Sequence, residues 1–341
     1  MTGIHRRRCD IVIGTGGLGV GTALVLEGDH TLGREESRAA RLVDTQDRCK
    51  LHIILHYVAR LADRRLRVVP VGSVGDDAAG RTVLTELAAE GMDVSYVATD
   101  HTRPTLSSVC FSYPNGDGGN LTLTDTASSV VGPADIDATT ALFVEHADHG
   151  IVLAAPEVPM AARIALLELA TRHGFGRFAS FLSGEIRQAY TDGVLGLVDV
   201  LSINIDEAAA LVGVKFAVLK ENTSTVVDQA VGLLVGRYPG LSFCITAGRS
   251  GSWVWDGTVL HHQAPRTVAA KNTAGAGDAH LAGLILGTVA GQGLIPANAR
   301  ATALSALSVT SPDTINTDID RQNCVIFEQP APAGTDQVTA T

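Results

Sequence analysis

The sequence has few aromatic residues. Phe, Trp and Tyr make up 4% of the 341 residues, whereas hydrophobic residues as a whole make up 45%. The core must therefore be built from alanine and aliphatic side chains, which is typical of buried parallel strands alternating with helices. The expected fold class is α/β, with a central, mostly parallel sheet and helices on both faces.

The sequence also lacks an excess of positive charge, cysteine motifs and long apolar runs. The formal net charge of −10 argues against a nucleic-acid surface, which needs a clustered basic face. The five cysteines show no C-x-x-C spacing, so neither a zinc site nor a disulfide framework is expected. No uncharged apolar run reaches the roughly 18 residues of a membrane helix, and no signal-peptide pattern is visible. We therefore expect a cytoplasmic protein that binds neither nucleic acid nor membranes.

Glycine, in contrast, forms a G-x-G-x-x-G pattern near the start. The stretch IVIGTGGLGVG places Gly14, Gly16 and Gly19 directly after a run of β-branched residues. In a dinucleotide-binding turn, a helix follows at once and an acid closes the next strand about 20 residues on. Here TALVLEGDH follows, a short apolar run that favours a strand and a hairpin. The pattern predicts a glycine-rich turn leading into a β excursion, and a nicotinamide-dependent enzyme is the disfavoured alternative.

Strand-like and helical segments alternate over most of the chain. LRVVPVGSVGDDAAG, for example, predicts a buried strand, a turn, and a helix opened by Asp76 and Asp77. Two segments, at about 20–46 and 103–129, interrupt this alternation and are predicted to be β structure. They could pair into a small sheet beside the core, well placed to act as a lid.

The predicted domain spans 10–328. The remaining tail, 329–341, contains mainly proline, glycine and polar residues and is expected to be disordered.

The most specific segment is KNTAGAGDAHLAG. Small residues at Gly275, Ala276 and Gly277 let backbone amides converge where a helix begins, which makes an anion site. Asp278 would repel a phosphate that is merely bound. It can, however, accept the proton of an attacking hydroxyl while a phosphoryl group is transferred. The simpler alternative is that Asp278 only caps the helix.

Two further motifs precede this segment. LSINIDEAAALVG places Asn204 and Glu207 at a strand end that opens a helix, where both could serve Mg²⁺ and phosphates. The alternative is a capping interaction within that first turn. FCITAGRSG places Thr246, Gly248 and Gly251 in a turn that lets a flat or phosphorylated ligand approach the backbone. In isolation this last pattern is also typical of an ordinary hairpin.

Taken in order, N-x-x-E, T-x-G-x-x-G and N-T-x-G-A-G-D resemble the PfkB, or ribokinase-like, carbohydrate kinase family. The similarity runs over about 10–325 and is strongest over 200–291. It implies an α/β core, a small β-sheet lid over the sugar, and ATP and Mg²⁺ as cofactors. The roles that it implies are catalytic base for Asp278, anion hole for Gly275, Ala276 and Gly277, Mg²⁺ and phosphate positioning for Asn204 and Glu207, and nucleotide contact for Thr246, Gly248 and Gly251.

The pattern departs from the family at the cation site and after the first strand. Asn272 stands in the nucleotide-binding segment where the family usually has an aspartate that helps to hold a monovalent cation, so a cation requirement stays open. The acid expected after the first strand is missing near Gly16 and Gly17, which are nevertheless expected to lie by the sugar. Asp29 is the nearest candidate for that acid.

The family's glycine-rich sugar motif is also replaced, by TQDRCKLHIILHYVARLA. Lys50 and His52 in this stretch could bind an anionic or phosphorylated acceptor. The alternative is that both are solvated residues on a helix, as His56 is expected to be.

We therefore expect an ATP-dependent kinase that phosphorylates a hydroxyl of a small sugar or sugar-like acceptor. A nucleoside kinase of the same fold is the nearest alternative, disfavoured because aromatic platforms for a base are scarce in the first half. A non-catalytic sugar or nucleotide sensor is favoured by the altered sugar motif and disfavoured by the presence of Asp278 and Glu207. Exposed strand edges in the lid predict a homodimer.

Overall fold

The computed structural model describes residues 9–28, 31, 33–115, 118–214, 222–322 and 337–338. Asp29 and most of the predicted tail lie outside the described residues. The strands are β1 Ile11–Thr15, β2 Gly19–Leu26, β3 Ala40–Arg48, β4 Arg67–Gly75, β5 Val97–Asp100, β6 Leu106–Ser112, β7 Gly118–Thr122, β8 Gly150–Ala154, β9 Gly176–Ala179, β10 Val200–Asn204, β11 Ser242–Thr246, β12 Ser252–Trp255, β13 Leu260–Gln263 and β14 Gln337–Val338. The helices are α1 Lys50–Leu61, α2 Ala78–Ala89, α3 Pro133–Asp137, α4 Thr140–Glu145, α5 Met160–Arg172, α6 Ile186–Thr191, α7 Ile205–Val212, α8 Thr223–Arg237, α9 Ala276–Val289 and α10 Leu294–Ser308.

The large sheet has the strand order β14-β13-β12-β11-β10-β9-β8-β1-β4-β5. All neighbours from β11 across to β5 pair in parallel, and β12, β13 and β14 extend the sheet with antiparallel pairs. The predicted, mostly parallel sheet is therefore confirmed. Its parallel strands end at one edge, which is where ligands bind in folds of this type.

Helices cover both faces of this sheet, as predicted. All residues of β1 are buried, and their side chains enter two separate hydrophobic cores in alternation. Ile11 and Ile13 join a core that contains Leu166 of α5, whereas Val12 joins one that contains Leu284 of α9. A strand buried on both faces explains the unbroken β-branched run in the sequence. Within the described residues, no helix is long and apolar enough to cross a membrane.

A second, small sheet has the order β3-β2-β6-β7 and contains both predicted β segments. β2 follows β1 after a short turn, so the predicted β excursion is confirmed and the helix of a dinucleotide-binding turn is not present there. Gly19 begins β2 where the chain crosses β6. A Cβ added at Gly19 would lie 2.0 Å from the Leu106 carbonyl oxygen, so this crossing requires glycine.

The two faces of the small sheet differ in polarity. Leu42, Val109 and Leu121 are exposed on one face. The other face carries Asp47 and Cys110, whose carboxylate Oδ2 and Sγ lie 3.6 Å apart. This polar face extends to β7 through Asn120, which pairs in register with Cys110.

Candidate active site

The start of α9 supplies backbone groups for an anion. Gly275 has φ +77° at the helix N-cap, and an added Cβ there would lie 2.8 Å from the Thr314 carbonyl oxygen. The first helical hydrogen bond runs from the Ala279 amide to the Gly275 carbonyl at 2.9 Å, so the amides of Gly277 and Asp278 precede it. The Ala276 amide instead donates to the Thr273 carbonyl at 3.3 Å. The predicted anion site is therefore centred on Gly277 and Asp278.

Asp278 lies in the first turn of α9 and faces the first residue of α1. The Lys50 Nζ is 3.7 Å from Asp278 Oδ1, with side-chain exposures of 30% and 12%. Burial raises the pKa of Asp278, and the Lys50 ammonium opposes part of that rise. The same carboxylate raises the pKa of Lys50, so Lys50 stays charged. The arrangement is a desolvated carboxylate held beside a cation, which suits proton transfer better than simple helix capping.

Asn204 and Glu207 form the capping interaction that the sequence left open. The Asn204 side chain accepts from the Glu207 amide at 2.8 Å, and Glu207 Oε2 accepts from the Asn204 amide at 2.8 Å. Burial raises the pKa of Glu207 to about 7, against the opposing effect of Lys50. Capping does not use all the acceptor positions of a carboxylate and an amide, so it leaves a role toward a metal or phosphate possible.

One cavity of about 840 Å³ brings most of the predicted nucleotide-site residues together. Its lining includes Lys50, Asn204, Thr246, Gly248, Gly251, Gly275, Ala276, Gly277 and Asp278. Gly251 closes the turn after β11 with φ +86°, and an added Cβ would lie 2.2 Å from the Gln263 carbonyl oxygen. The glycine requirement at this turn is therefore steric as well as conformational.

Several cavity residues were not predicted. Arg249 and Arg266 are exposed and line the cavity beside the glycine turn, where they fit a polyphosphate. Asp206 lines it next to Asn204, and burial raises its pKa. No sequence pattern marked Arg249 and Arg266 as site residues, because only the fold decides which arginines of the loops face the cavity.

Five of the predicted site residues are not part of this cavity's lining, namely Gly16, Gly17, His52, Glu207 and Asn272. The Asn272 side chain donates to the Pro312 carbonyl at 2.8 Å and accepts from the Ala274 amide at 3.0 Å, so it braces the loop before α9. Gly16 and Gly17 pack tightly beyond Lys50. An added Cβ would lie 2.8 Å from Ala155 Cβ at Gly16, and 2.5 Å from Glu157 Cβ at Gly17.

Glu157 is a site residue that the sequence analysis missed. It follows β8 with φ +74°, and its Oε2 is buried without a hydrogen-bond partner among the described residues. Burial raises the pKa of Glu157 to about 7, Lys50 lowers it, and Asp278 raises it further. Because β8 pairs in parallel with β1, an acid directly after β8 was the signal that could have placed it at this edge.

The histidines of α1 do not behave as the sequence suggested. His52 is 1% exposed, and its Nε2 lies 3.8 Å from Glu86 Oε2, so it faces α2 and not the cavity. The prediction that His56 is solvated was wrong, because it is 4% exposed and its Nδ1 lies 3.9 Å from Glu90 Oε1. Burial lowers the pKa of each histidine to about 3. The helix places them one turn apart, on the face that packs against α2.

Comparison with known proteins agrees with this geometry. A family model described as pfkB family carbohydrate kinase matches residues 54–321, well over half of the chain. The chain belongs to this family. It is therefore an ATP-dependent carbohydrate kinase, a phosphotransferase whose acceptor is a hydroxyl group.

Individual relatives are also named as sugar kinases. The chain is 27% identical over 236 residues to fructoselysine 6-kinase of Escherichia coli strain K12, covering 69% of this chain and 80% of that protein. It is 28% identical over 228 residues to a fructokinase of Klebsiella pneumoniae, covering 64% of this chain and 70% of that one.

Solved structures share the fold. The ribokinase of Cryptococcus neoformans in complex with ADP has a TM-score of 0.73 at 18% identity, covering 94% of this chain and 99% of that one. The Arabidopsis thaliana ribokinase complexed with ribose and ATP has a TM-score of 0.69 at 19% identity, covering 93% and 98%. The ribokinase-like fold with its small sheet, expected from the sequence, is thus confirmed.

Proposed function

We propose that this kinase transfers the γ-phosphoryl group of ATP to a hydroxyl of a small sugar or sugar-like acceptor, with Asp278 as the base. The observation that carries the proposal is the position of Asp278, buried beside Lys50 at the amide-bearing start of α9. The names of the relatives, fructoselysine 6-kinase and fructokinase, support a sugar-like acceptor.

The geometry supports a division of labour. The acceptor hydroxyl attacks the γ-phosphorus from the side of Asp278, which takes the hydroxyl proton as the new oxygen–phosphorus bond forms and the bond from the γ-phosphorus to the bridging oxygen of ATP breaks, releasing ADP. The amides of Gly277 and Asp278 face the transferring group and offset its charge. Thr246, Gly248 and Gly251 hold the nucleotide along the cavity, and Lys50 orients Asp278 and supplies positive charge at the reacting end.

The residues present also fit Mg²⁺. Glu207 is a buried carboxylate whose pKa burial raises to about 7, so a nearby cation would restore its charged form. Asp206 and Asn204 add oxygen atoms at the cavity wall. In kinases Mg²⁺ is bound through one or two carboxylates together with substrate phosphates, and it neutralises phosphate charge. We assign Glu207, Asp206 and Asn204 to this role, directly or through water.

A second copy of the chain is the proposed partner. Leu42, Val109 and Leu121 are exposed together on one face of the small sheet. Such a group of exposed apolar side chains, unlike single ones scattered over a surface, suits an interface. We predict a homodimer through the small sheet, to be measured by light scattering. A monomer mass at micromolar concentration would contradict this.

The proposed location is the cytoplasm. The cysteines of the described residues, Cys9, Cys49, Cys110 and Cys244, are all free thiols, which suits a reducing compartment.

The decisive assay follows ADP formation with ATP and Mg²⁺ against pentoses, hexoses, sugar phosphates, sugar acids, amino sugars and nucleosides. We expect turnover on a sugar-like compound and none above background with Asp278→Asn. Turnover on nucleosides alone would favour the nucleoside kinase. ATP binding without turnover on any compound would favour the sensor.

A further inference from the structure

We infer that the acceptor carries an amine, whose ammonium group is bound between Glu157 after β8 and Asp47 on the polar face of the small sheet. The inference rests on the proposed function, because it names the acceptor class of the same site. It concerns the end of the site beyond Lys50, opposite the arginines that line the nucleotide cavity.

Three carboxylates converge on the start of α1. Cys49, the residue before Lys50, is buried, and burial raises the pKa of its thiol well above the ordinary value. The charges of Glu157, Asp47 and Asp278 raise it further, in that order, so all three carboxylates act on this one position. Asp47 also raises the pKa of Asp278, so its charge acts on the proposed base as well.

The cations beside these carboxylates are already paired. Lys50 lies 3.7 Å from Asp278 and compensates that carboxylate first. Arg48, next to Asp47, turns to α2, where its Nε donates to Glu86 Oε2 at 2.6 Å. Burial is the largest influence on Asp47 and Glu157 and raises the pKa of each, although the charge of Lys50 opposes the rise at Glu157 and hydrogen bonds oppose it at Asp47.

Glu157 provides the independent sign of a missing ligand. Its Oε2 is buried and has no hydrogen-bond partner among the described residues. A buried polar atom is nearly always paired in a native protein, so this oxygen is best explained as a group that a ligand completes. A neutral hydroxyl can donate one hydrogen bond to it, whereas an ammonium group donates up to three and also supplies charge.

Asp47 is also held in place to bind the ammonium group. An added Cβ at Gly21 would lie 1.8 Å from Asp47 Oδ2, so the carboxylate lies flat across β2 where glycine leaves room. Cys110 Sγ contacts the same oxygen at 3.6 Å and Asn120 Oδ1 at 3.5 Å, which adds further acceptors on this face. An anionic acceptor, which Lys50 and His52 suggested in the sequence, would meet the carboxylates of Asp47 and Glu157, and His52 faces α2 instead of the cavity.

The test compares sugars that carry an ammonium group with neutral counterparts in which the amine is acetylated or replaced by a hydroxyl. The probes are 1-amino-1-deoxy-D-fructose, its N-acetyl derivative and D-fructose, together with D-glucosamine, N-acetyl-D-glucosamine and D-glucose. The measurement is kcat/KM for ADP formation at pH 7. In either the fructose set or the glucose set, we expect kcat/KM for the amine to be at least tenfold higher than kcat/KM for both of its neutral counterparts. Asp47→Asn and Glu157→Gln should each reduce this ratio, whereas Asp44→Asn, on the exposed part of β3, should preserve it.

Each outcome decides between the two proposals. If a neutral compound is phosphorylated as well as its amine, or if both site variants keep the ratio, the inference is overturned and the kinase mechanism stands. If no compound is phosphorylated, binding of the same sugars to the Asp278→Asn protein in the presence of ATP is measured by calorimetry. Binding that prefers the amine would then support the inference while the proposed mechanism fails, and binding without that preference would overturn the inference.

Discussion

The nucleotide end and the acceptor end of the active site differ in what they are made of. The nucleotide end is built from backbone amides and glycine turns at strand ends, with Arg249 and Arg266 on its wall. We assign side chains, Asp47, Glu157 and Asp278, to the acceptor end, and Lys50 lies 3.7 Å from Asp278 and also lines the nucleotide cavity. A backbone site tolerates few substitutions and serves one ligand, whereas a side-chain site can be altered for new acceptors without disturbing phosphate binding.

The largest effect is expected where both ends meet. Asp278→Asn removes the proposed base and should lower kcat by about 10²–10⁴-fold, while ATP binding persists because the α9 amides remain. Steady-state kinetics and calorimetry with ATP measure the two quantities. Asp228→Asn, on the exposed side of α8, is the control and should change neither. Full activity in Asp278→Asn would exclude the mechanism.

At the nucleotide end, Gly275→Ala should destabilise the fold and lower kcat. The residue has φ +77°, and its new Cβ would lie 2.8 Å from the Thr314 carbonyl oxygen. The expected loss is about 1–3 kcal/mol in the free energy of unfolding, measured with urea. Gly236→Ala, inside α8 with open space around the added Cβ, should stabilise by about 0.5–1 kcal/mol instead. Equal effects of the two variants would show that the turn before α9 is not constrained.

At the acceptor end, Gly21→Ala should displace Asp47 without removing its charge, because the new Cβ would overlap the carboxylate. We expect the acceptor KM to rise about tenfold, equivalent to about 1.4 kcal/mol, while the KM for ATP stays constant. Thr22→Ala, the next residue and on the opposite face, is the control. A rise in both Michaelis constants would mean that the two ends are not separable.

The smallest effect concerns α1, which joins the ends. The pKa of His52 and His56 is lowered to about 3 by burial, so between that value and about 6.5 the unfolded chain binds protons that the folded chain does not. Stability due to the neutral histidines is present above pH 6.5 and is lost as the pH falls through this window. At pH 6.5 the loss is under about 1 kcal/mol for the pair.

The measurement is the free energy of unfolding from pH 7.5 to 6.5 in the protein and in the double variant His52→Leu/His56→Leu. Glu86 and Glu90 keep Arg48 and Arg60 as partners in the variant. The variant should lose less stability on acidification, and parallel curves would contradict the burial of neutral histidines.

Prediction from the sequence succeeded where the chain is locally constrained. The GAGD segment and the N-x-x-E pair each open a helix, and the glycine turn near Gly248 joins β11 to β12. Residues of all three line one cavity, and their roles toward the nucleotide stay predictions. The small sheet was predicted because its segments interrupt a regular alternation. His56 failed, because the helical pattern of α1 does not show that α2 covers its polar side.

By itself, the sequence determined the elements, the parallel sheet and the segments proposed to bind phosphate, since these depend on local periodicity, glycine geometry and helix termini. Only the tertiary structure decided that the charges of Glu157, Asp47 and Asp278 act together on the start of α1 and that Arg48 pairs with Glu86. The physical reason is that their electrostatic environment depends on contacts between residues far apart in the chain. Burial and neighbouring charge, which set the chemistry of a carboxylate, are properties of the packed fold.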